Sequence, residues 1–360
     1  MPKMTVKEIA RLTGVSIGTV DRVIHKRGRV SPETKERIEK IIQISGFVPN
    51  PIARSLKRQK PYRFFALIPD REEDSGYWGQ IIQGIRTAAD EVAALGINTT
   101  ILEYDRYDAA SFWQAANQIV EAKPDGVVLA PVIPEETRRF IDTIQGKIPY
   151  IYVDADIPDT NPLCSIGQDA FRGGRLAGRL ASLFASSSTL PFGVLVAYQE
   201  DFHILRRRDG FLDFAKKKGL PVVVKDDINL EKQDQVNQTL QQLIRDYPDI
   251  QGVFVTNASA HCVAEASRTI RTERPFVIIG YDLVYKNHML LIEGAIDVII
   301  SQRPETQGRQ SLLNLYQHIV LGQNIHRHVD VPIDLYLQEN VPPLLSAEMK
   351  HPAKERVVWS

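Results

Sequence analysis

The chain has 360 residues, 44 Lys and Arg against 44 Asp and Glu, 43% hydrophobic residues and 2 Cys. That composition excludes a disordered or low-complexity chain, and the cysteine number excludes a disulfide framework. No apolar run reaches the ~18 residues a membrane helix needs, and Lys3, Lys7, Glu8 and Arg11 interrupt the N-terminus, so a cytoplasmic protein without signal peptide or spanning segment is expected.

The first predicted helix starts after Thr5, whose hydroxyl can cap it while Glu8 reaches back to the cap amide; Val6, Ile9, Ala10 and Leu12 form its apolar face. Gly14 breaks it. Ser16 is the natural N-cap of a second helix over Ile17 to His25, with Val20, Val23 and Ile24 on the buried side. Two short helices joined by a Gly-containing turn form a helix-turn-helix, whose second helix enters a DNA major groove. Ser31 caps a third helix with Pro32 at its first position, and Ile38, Ile41, Ile42 and Phe47 close a small core around Gly46. Asn50 and Pro51 can then start a helix over Ile52 to Arg58 that is too short to be stable alone and would order only on DNA.

Three small helices would also suit a protein-docking module, and charge decides against it. Residues 1–60 hold 14 Lys and Arg against 5 Asp and Glu, and the other 300 hold 30 against 39. A basic head on an acidic body is the footprint of phosphate neutralisation by a module attached to something with another task. On the second helix, Ile17 and Gly18 stand at the N-terminal end, where side chains meet base edges, and Arg22 one turn on is placed to read a guanine bidentately. Thr19, Lys26, Arg27, Arg29 and Ser31 are expected to position phosphates.

From Tyr62 the pattern changes to alternating strands and helices. The runs Phe64 to Ile68, Gly126 to Ala130, Tyr150 to Val153, Gly193 to Val196, Gly252 to Val255 and Phe276 to Ile279 read as buried parallel strands, with helical patterns such as Gly79 to Leu95, Ala109 to Glu121 and Arg172 to Leu183 between them. This is a doubly wound α/β signature repeated in two lobes. Ligands bind such sheets beyond the carboxyl ends of strands, which directs attention to Asp70 to Trp78, Pro131 to Glu135, Asp154, Asp169, Arg207, Asn257, Asp282 and Gln302.

Thr5-Val6-Lys7-Glu8-Ile9-Ala10, Gly14-Val15-Ser16, Thr19-Val20, Arg22-Val23, Val30-Ser31 and Pro49-Asn50-Pro51-Ile52-Ala53-Arg54-Ser55-Leu56-Lys57 together resemble the headpiece and hinge of the lactose-repressor (LacI/GalR) family. The resemblance implies a bacterial, nucleoid-associated transcription regulator, usually a repressor, that binds a pseudo-palindromic double-stranded operator as a homodimer. It implies that Leu56 is a minor-groove wedge; a plain linker would have no need of Leu56 among Arg54, Lys57 and Arg58. The DNA-contacting set expected is Thr5, Ser16, Ile17, Gly18, Thr19, Arg22, Lys26, Arg29, Ser31, Asn50, Ala53, Leu56 and Lys57.

The body resembles a periplasmic sugar-binding protein of the ribose-binding type. In that fold the motif positions Tyr77 and Trp78, Asp154 at the end of the strand before the crossover, Arg207 of Arg-x-x-Gly-Phe, Asn257, Asp282 of Gly-x-Asp and Gln302 of Gln-x-Pro line a cleft between lobes, which implies a sugar-like effector. Asp169 joins the expected effector set as a residue following a strand. Carboxylate, amide and guanidinium groups suit hydroxyls, and an indole suits a pyranose face. Each has an alternative: Asp154 and Asp282 as helix caps, Tyr77 and Trp78 as core, a shift of one place within Arg206-Arg207-Arg208. The charged run Asp70 to Asp74 points to a cationic or larger ligand.

The expected organisation is an all-α headpiece over 1–48, a hinge helix over 49–60, a two-lobed effector-binding and dimerisation domain over 61–345 with parallel doubly wound sheets, and a tail over 346–360. No cofactor or metal is expected: Cys164 and Cys262 lack ligand spacing, and His326 and His328 read as strand surface. Asp154 with Asp156 does not place a glycosidase pair, and Gly173 to Gly178 lacks dinucleotide-loop spacing. The other reading is a carbohydrate sensor or enzyme of the same body fold tethered to DNA, which turnover of a bound sugar would reveal.

Overall fold

The structure, a computed structural model, describes residues 4–24, 28–45, 47, 61–197, 201–226, 228–270 and 276–343. Lys26, the expected hinge helix with Asn50, Ala53, Leu56 and Lys57, and the tail 346–360 lie outside the described residues.

The headpiece consists of α1 (Val6–Thr13), α2 (Ile17–Ile24) and α3 (Pro32–Ser45). The capping box is present: the Thr5 hydroxyl accepts from the Glu8 amide at 3.2 Å, and the Glu8 carboxylate accepts from the Thr5 amide at 2.8 Å. Gly14 ends α1 at φ 67°, a left-handed turn that favours glycine. The Ser16 hydroxyl accepts from the Thr19 amide at 3.1 Å and so starts α2. Ile9, Ala10, Val20, Val23 and Ile38 form the buried core, with Ile41, Ile42 and Phe47 packed on it.

The body begins with β1 (Tyr62–Pro69), α4 (Tyr77–Ala93), β2 (Ile97–Tyr104), α5 (Ala109–Ala122), β3 (Gly126–Leu129), α6 (Pro134–Ile144), β4 (Tyr150–Asp154) and β5 (Cys164–Gly167). It continues through α7 (Ala170–Phe184), β6 (Phe192–Leu195), α8 (Phe202–Lys218), β7 (Val222–Lys225), α9 (Gln233–Asp246), β8 (Gly252–Val255), α10 (Ala260–Ile270), β9 (Val277–Tyr281), α11 (Tyr285–Ile292) and β10 (Val298–Ser301). It closes with α12 (Pro304–Leu315), β11 (His328–Asp330) and β12 (Asp334–Tyr336).

Two six-stranded sheets result, in the orders β11, β5, β4, β3, β1, β2 and β12, β10, β9, β8, β6, β7. Every pairing is parallel except β10 with β12. β1 shows why the strand signals were continuous apolar runs: Phe64, Ala66 and Ile68 enter the core on one face of the sheet and Leu67 the core on the other.

The chain passes between lobes after β5, again between β10 and α12, and finally between β11 and β12. The expectation that Asp154 ends the strand before the crossover is thereby corrected. β5 follows in the same sheet, pairing Gly167 with Asp154, and the crossing comes at Gln168. A four-residue strand behind a Pro-containing loop leaves too short an apolar run to read from sequence.

Each lobe carries one close helix pair made by glycines. A Cβ on Gly84 of α4 would lie 2.0 Å from the Glu305 carbonyl oxygen of α12, and one on Gly308 2.1 Å from that of Ile81. In the second lobe, a Cβ on Gly174 of α7 would lie 1.9 Å from the Arg207 oxygen of α8, and one on Gly210 2.1 Å from that of Phe171. The glycine run 173–178 therefore serves helix packing, which brings α8 and its Arg207 against α7.

Candidate functional site

Asp154, Arg207, Asn257, Asp282 and Gln302 are all buried, at 3%, 2%, 2%, 1% and 2% exposure, although their chain positions span both lobes. Asp154 and Asp282 occupy matching places, at or just after the carboxyl end of a strand, with φ of 76° and 60°. Aspartate tolerates this left-handed region better than most residues, and the surroundings fix it. The Asp154 amide donates to Gln307 Oε1 at 3.1 Å, and Asn287 Nδ2 donates to the Asp282 carbonyl at 2.8 Å.

The Tyr77 hydroxyl donates to Asp154 Oδ1, and Gln302 Nε2 donates to Asp282 Oδ2 at 3.2 Å. Arg207 lies with its guanidinium carbon 3.7 Å from the Tyr281 ring centroid and donates through Nη1 to the Thr256 carbonyl at 2.8 Å. Asp154 Oδ2, Asp282 Oδ1, Arg207 Nε and Trp78 Nε1 are buried without a hydrogen-bond partner among the described residues. Such groups carry a desolvation cost of about 1–3 kcal/mol each until something satisfies them. Trp78 packs edge-on to Tyr77 at 5.1 Å within the first lobe's apolar core.

Asp169 does not join this cluster. It is exposed and caps α7, its carboxylate accepting from the Arg172 amide at 3.0 Å. The Asp169 carboxylate, expected at the effector, is engaged in this cap; its buried neighbour is Gln168, which accepts from the Tyr281 hydroxyl at 2.7 Å.

His203, Asp201 and Arg106 were missed by sequence reasoning. Asp201 caps α8, and its carboxylate lies 2.6 Å from His203 Nδ1; His203 Nε2 lies 3.5 Å from Asp154 Oδ2 across the lobes. The signal available was spacing, because His203 and Arg207 stand four apart on one helix face. Arg106 follows β2, an edge strand too polar to be flagged, and is 4% exposed. It pairs with Glu73 at 3.5 Å, with Asp74 at 3.9 Å and, across the cleft, with Glu231. Asn257 Nδ2 bridges the lobes too, donating to Asp74 Oδ1 at 2.9 Å. Of the charges in residues 70–74, Arg71 is thus paired to Glu103 and Glu73 and Asp74 to Arg106, so these three do not call for a cationic ligand, while Glu72 is exposed.

Burial pushes the Asp282 carboxyl up to about 7 against the pull of Arg207. Burial likewise raises Glu73 to about 8 despite Arg106. For His203 burial acts downward, but Asp201 and Asp154 outweigh it and the imidazole is raised. Among the described residues no group of three His, Cys, Asp or Glu could hold a metal ion, and no helix is long and apolar enough to cross a membrane.

On the headpiece, Ile17 is 46% exposed, and Gly18, Arg22, Arg29 and Ser31 are exposed as well. Thr5 and Ser16 use their hydroxyls as caps, and Thr19 Oγ1 lies 2.9 Å from Ser16 Oγ. α2 therefore presents Ile17, Gly18 and Arg22 outward while Val20 and Val23 face the core.

The family profile of the Periplasmic binding protein domain matches residues 65–324, and that of the bacterial regulatory proteins, lacI family, matches residues 5–50. The HTH-type transcriptional regulator DegA of Bacillus subtilis is 26% identical over 290 residues, 78% of this chain and 82% of that protein. Catabolite control protein A of Staphylococcus epidermidis is 26% identical over 157 residues, 43% of this chain and 45% of that protein, so the match spans under half of that relative. Among solved structures, a candidate LacI transcriptional regulator of Bacteroides fragilis gives a TM-score of 0.71 at 30% identity over 78% of this chain and 98% of that one. The glucose-galactose binding protein GanP of Geobacillus stearothermophilus shares the fold, with a TM-score of 0.70 at 20% identity over 79% of this chain and 100% of its own. With a helix-turn-helix at its head, a two-lobed α/β body and these matches to both, the chain belongs to the lacI family of bacterial regulatory proteins and is a DNA-binding transcription regulator, not an enzyme.

Proposed function

We propose that this regulator binds a pseudo-palindromic operator as a homodimer, acts as a repressor, and is controlled by an uncharged sugar or polyol held between the lobes of its body. The observation that carries the effector reading is the convergence of buried Asp154, Arg207 and Asp282, each with a polar atom that makes no hydrogen bond among the described residues, Asp154 Oδ2 having only the His203 imidazole at 3.5 Å. Two carboxylates and one guanidinium match hydroxyl donors and acceptors, whereas a phosphorylated sugar would set a further acidic group beside Asp154 and Asp282. A carbohydrate also agrees with the fold shared with the glucose-galactose binding protein GanP. In this reading Tyr77, Trp78, Asn257 and Gln302 shape the cleft and Asp169 does not contact the effector.

A melting screen of the full chain against neutral aldoses, disaccharides and alditols beside sugar phosphates tests this. A ligand at 100-fold its Kd adds about 2.7 kcal/mol of stability. Stabilisation by a neutral sugar is expected, and a response to sugar phosphates alone would overturn the charge argument. For DNA, the headpiece over 1–48, with the hinge over 49–60 inserting Leu56, is the proposed reader. Arg22→Ala should cost about 1–3 kcal/mol and relax preference at one symmetric pair of operator positions, while Lys26→Ala should weaken all sequences alike. Equal losses on operator and random DNA for both variants would refute the assignment.

A further inference from the structure

Gln168 follows β5 at the first chain crossing between lobes, and its carboxamide is engaged at both ends. Nε2 donates to the Ser301 carbonyl at 3.1 Å and, more weakly, to the Pro332 carbonyl at 3.4 Å. Ser301 ends β10 at the second crossing, and Pro332 lies between β11 and β12 at the third. One buried side chain therefore joins all three connections. Its Oε1 accepts from the Tyr281 hydroxyl at 2.7 Å, and that ring lies under the Arg207 guanidinium at 3.7 Å. Gly173 leaves room for this contact, since a Cβ there would lie 2.0 Å from the Tyr281 hydroxyl.

Lobes that swing about a hinge change the dihedrals of every connecting segment together. The two N–H bonds of a carboxamide diverge at a fixed angle, and hydrogen bonds weaken steeply once stretched or bent. Carbonyls on two different crossings can meet that amide together at only a narrow range of lobe angles. We infer that Gln168 is the positioning residue of the hinge: it fixes the angle between the lobes and, through Tyr281, ties that angle to the placement of Arg207. The consequence for signalling rests on the effector role proposed for Arg207; the fixing of the lobe angle does not.

The test is therefore made without any sugar, so that its failure and a failure of the proposed cleft are told apart. Spin labels on the full chain at Ala109→Cys and Asp234→Cys, both exposed, sit near the Arg106 and Glu231 pair that spans the cleft; both native cysteines are buried. Labelled chains diluted into unlabelled ones report the distance between lobes by electron–electron dipolar coupling. Gln168→Leu and Gln168→Glu should raise the population at longer distance about tenfold relative to the native one, the effect of losing one or two hydrogen bonds. Tyr281→Phe should widen the distribution less, and Gln168→Leu combined with Tyr281→Phe should go no further than Gln168→Leu alone. An unchanged distribution in a folded Gln168 variant overturns the inference even if its Tm falls, and so does full additivity with Tyr281→Phe. Should Gln168→Leu fail to fold, Gln168→Glu and Tyr281→Phe decide it on the same criteria.

Discussion

The headpiece and the body place the residues proposed to carry function in opposite environments. Ile17, Gly18 and Arg22 stand outside a small core made by α1, α2 and α3, and their positions depend on helix geometry within a few residues. Asp154, Arg207 and Asp282 are buried where two lobes meet, and each depends on packing between segments far apart in the chain. The first arrangement keeps affinity for a large, charged partner on an accessible face. On the effector reading proposed above, the second makes binding of a small molecule and the angle between lobes one event, which is the condition for a ligand to bias two states of a protein.

The largest expected effect tests that division directly. Arg207→Lys keeps the charge but loses the planar stack on Tyr281, and should raise the effector concentration needed to alter operator binding by about ten- to several-hundred-fold, with effector-free operator affinity unchanged. Operator titrations at increasing effector measure it. Loss of effector-free DNA binding would mean that the two regions are not separable in this way.

Next in size is Gly174→Ala, which sets a methyl group against the Arg207 carbonyl. Overpacking of about 1–3 kcal/mol should lower the body's Tm by roughly 3–10 °C. A Tm within 1 °C of wild type, taking ~1 °C as error, would show that α7 and α8 can slide apart freely. Its counterpart in the headpiece is Thr5→Ala, which removes the capping box at a cost of about 1 kcal/mol. Amide exchange should quicken across α1 while the body melts as before; unaltered exchange in α1 would remove the cap from the account.

The smallest effect is the pH response of the body, expected to be a Tm lower by a few degrees at pH 8.5 than at pH 6.5. Glu73, raised to about 8, and Asp282, raised to about 7, hold their protons more tightly when folded, so stability falls as pH climbs through those values. His203, raised by Asp201 and Asp154 over the opposing effect of burial, contributes stability below its unfolded value of about 6.5 that is lost as pH passes the folded one. His261, lowered by burial to about 4, acts in the opposite sense only below about pH 6.5. Glu73→Gln should flatten the profile, and a Tm that rises over this range in the wild type would reverse the assignment.

The sequence by itself determined what depends on near neighbours. Thr5 with Glu8, Gly14, Ser16 and the spacing of Val20 and Val23 specify the headpiece, because caps and helix faces are set within one or two turns. The apolar runs from Phe64 to Ile279 fixed the α/β class for the same reason, since a strand buried on both faces reads as a near-continuous apolar run. Tertiary structure alone decided which β5 neighbour faces the core, so that Gln168 and not Asp169 reaches Tyr281. It alone brought His203 to Asp154 and Arg106 to Glu231, pairs whose partners lie on different lobes. Those contacts depend on the angle between two sheets and on three chain crossings, and no periodicity along the chain encodes an angle between distant segments.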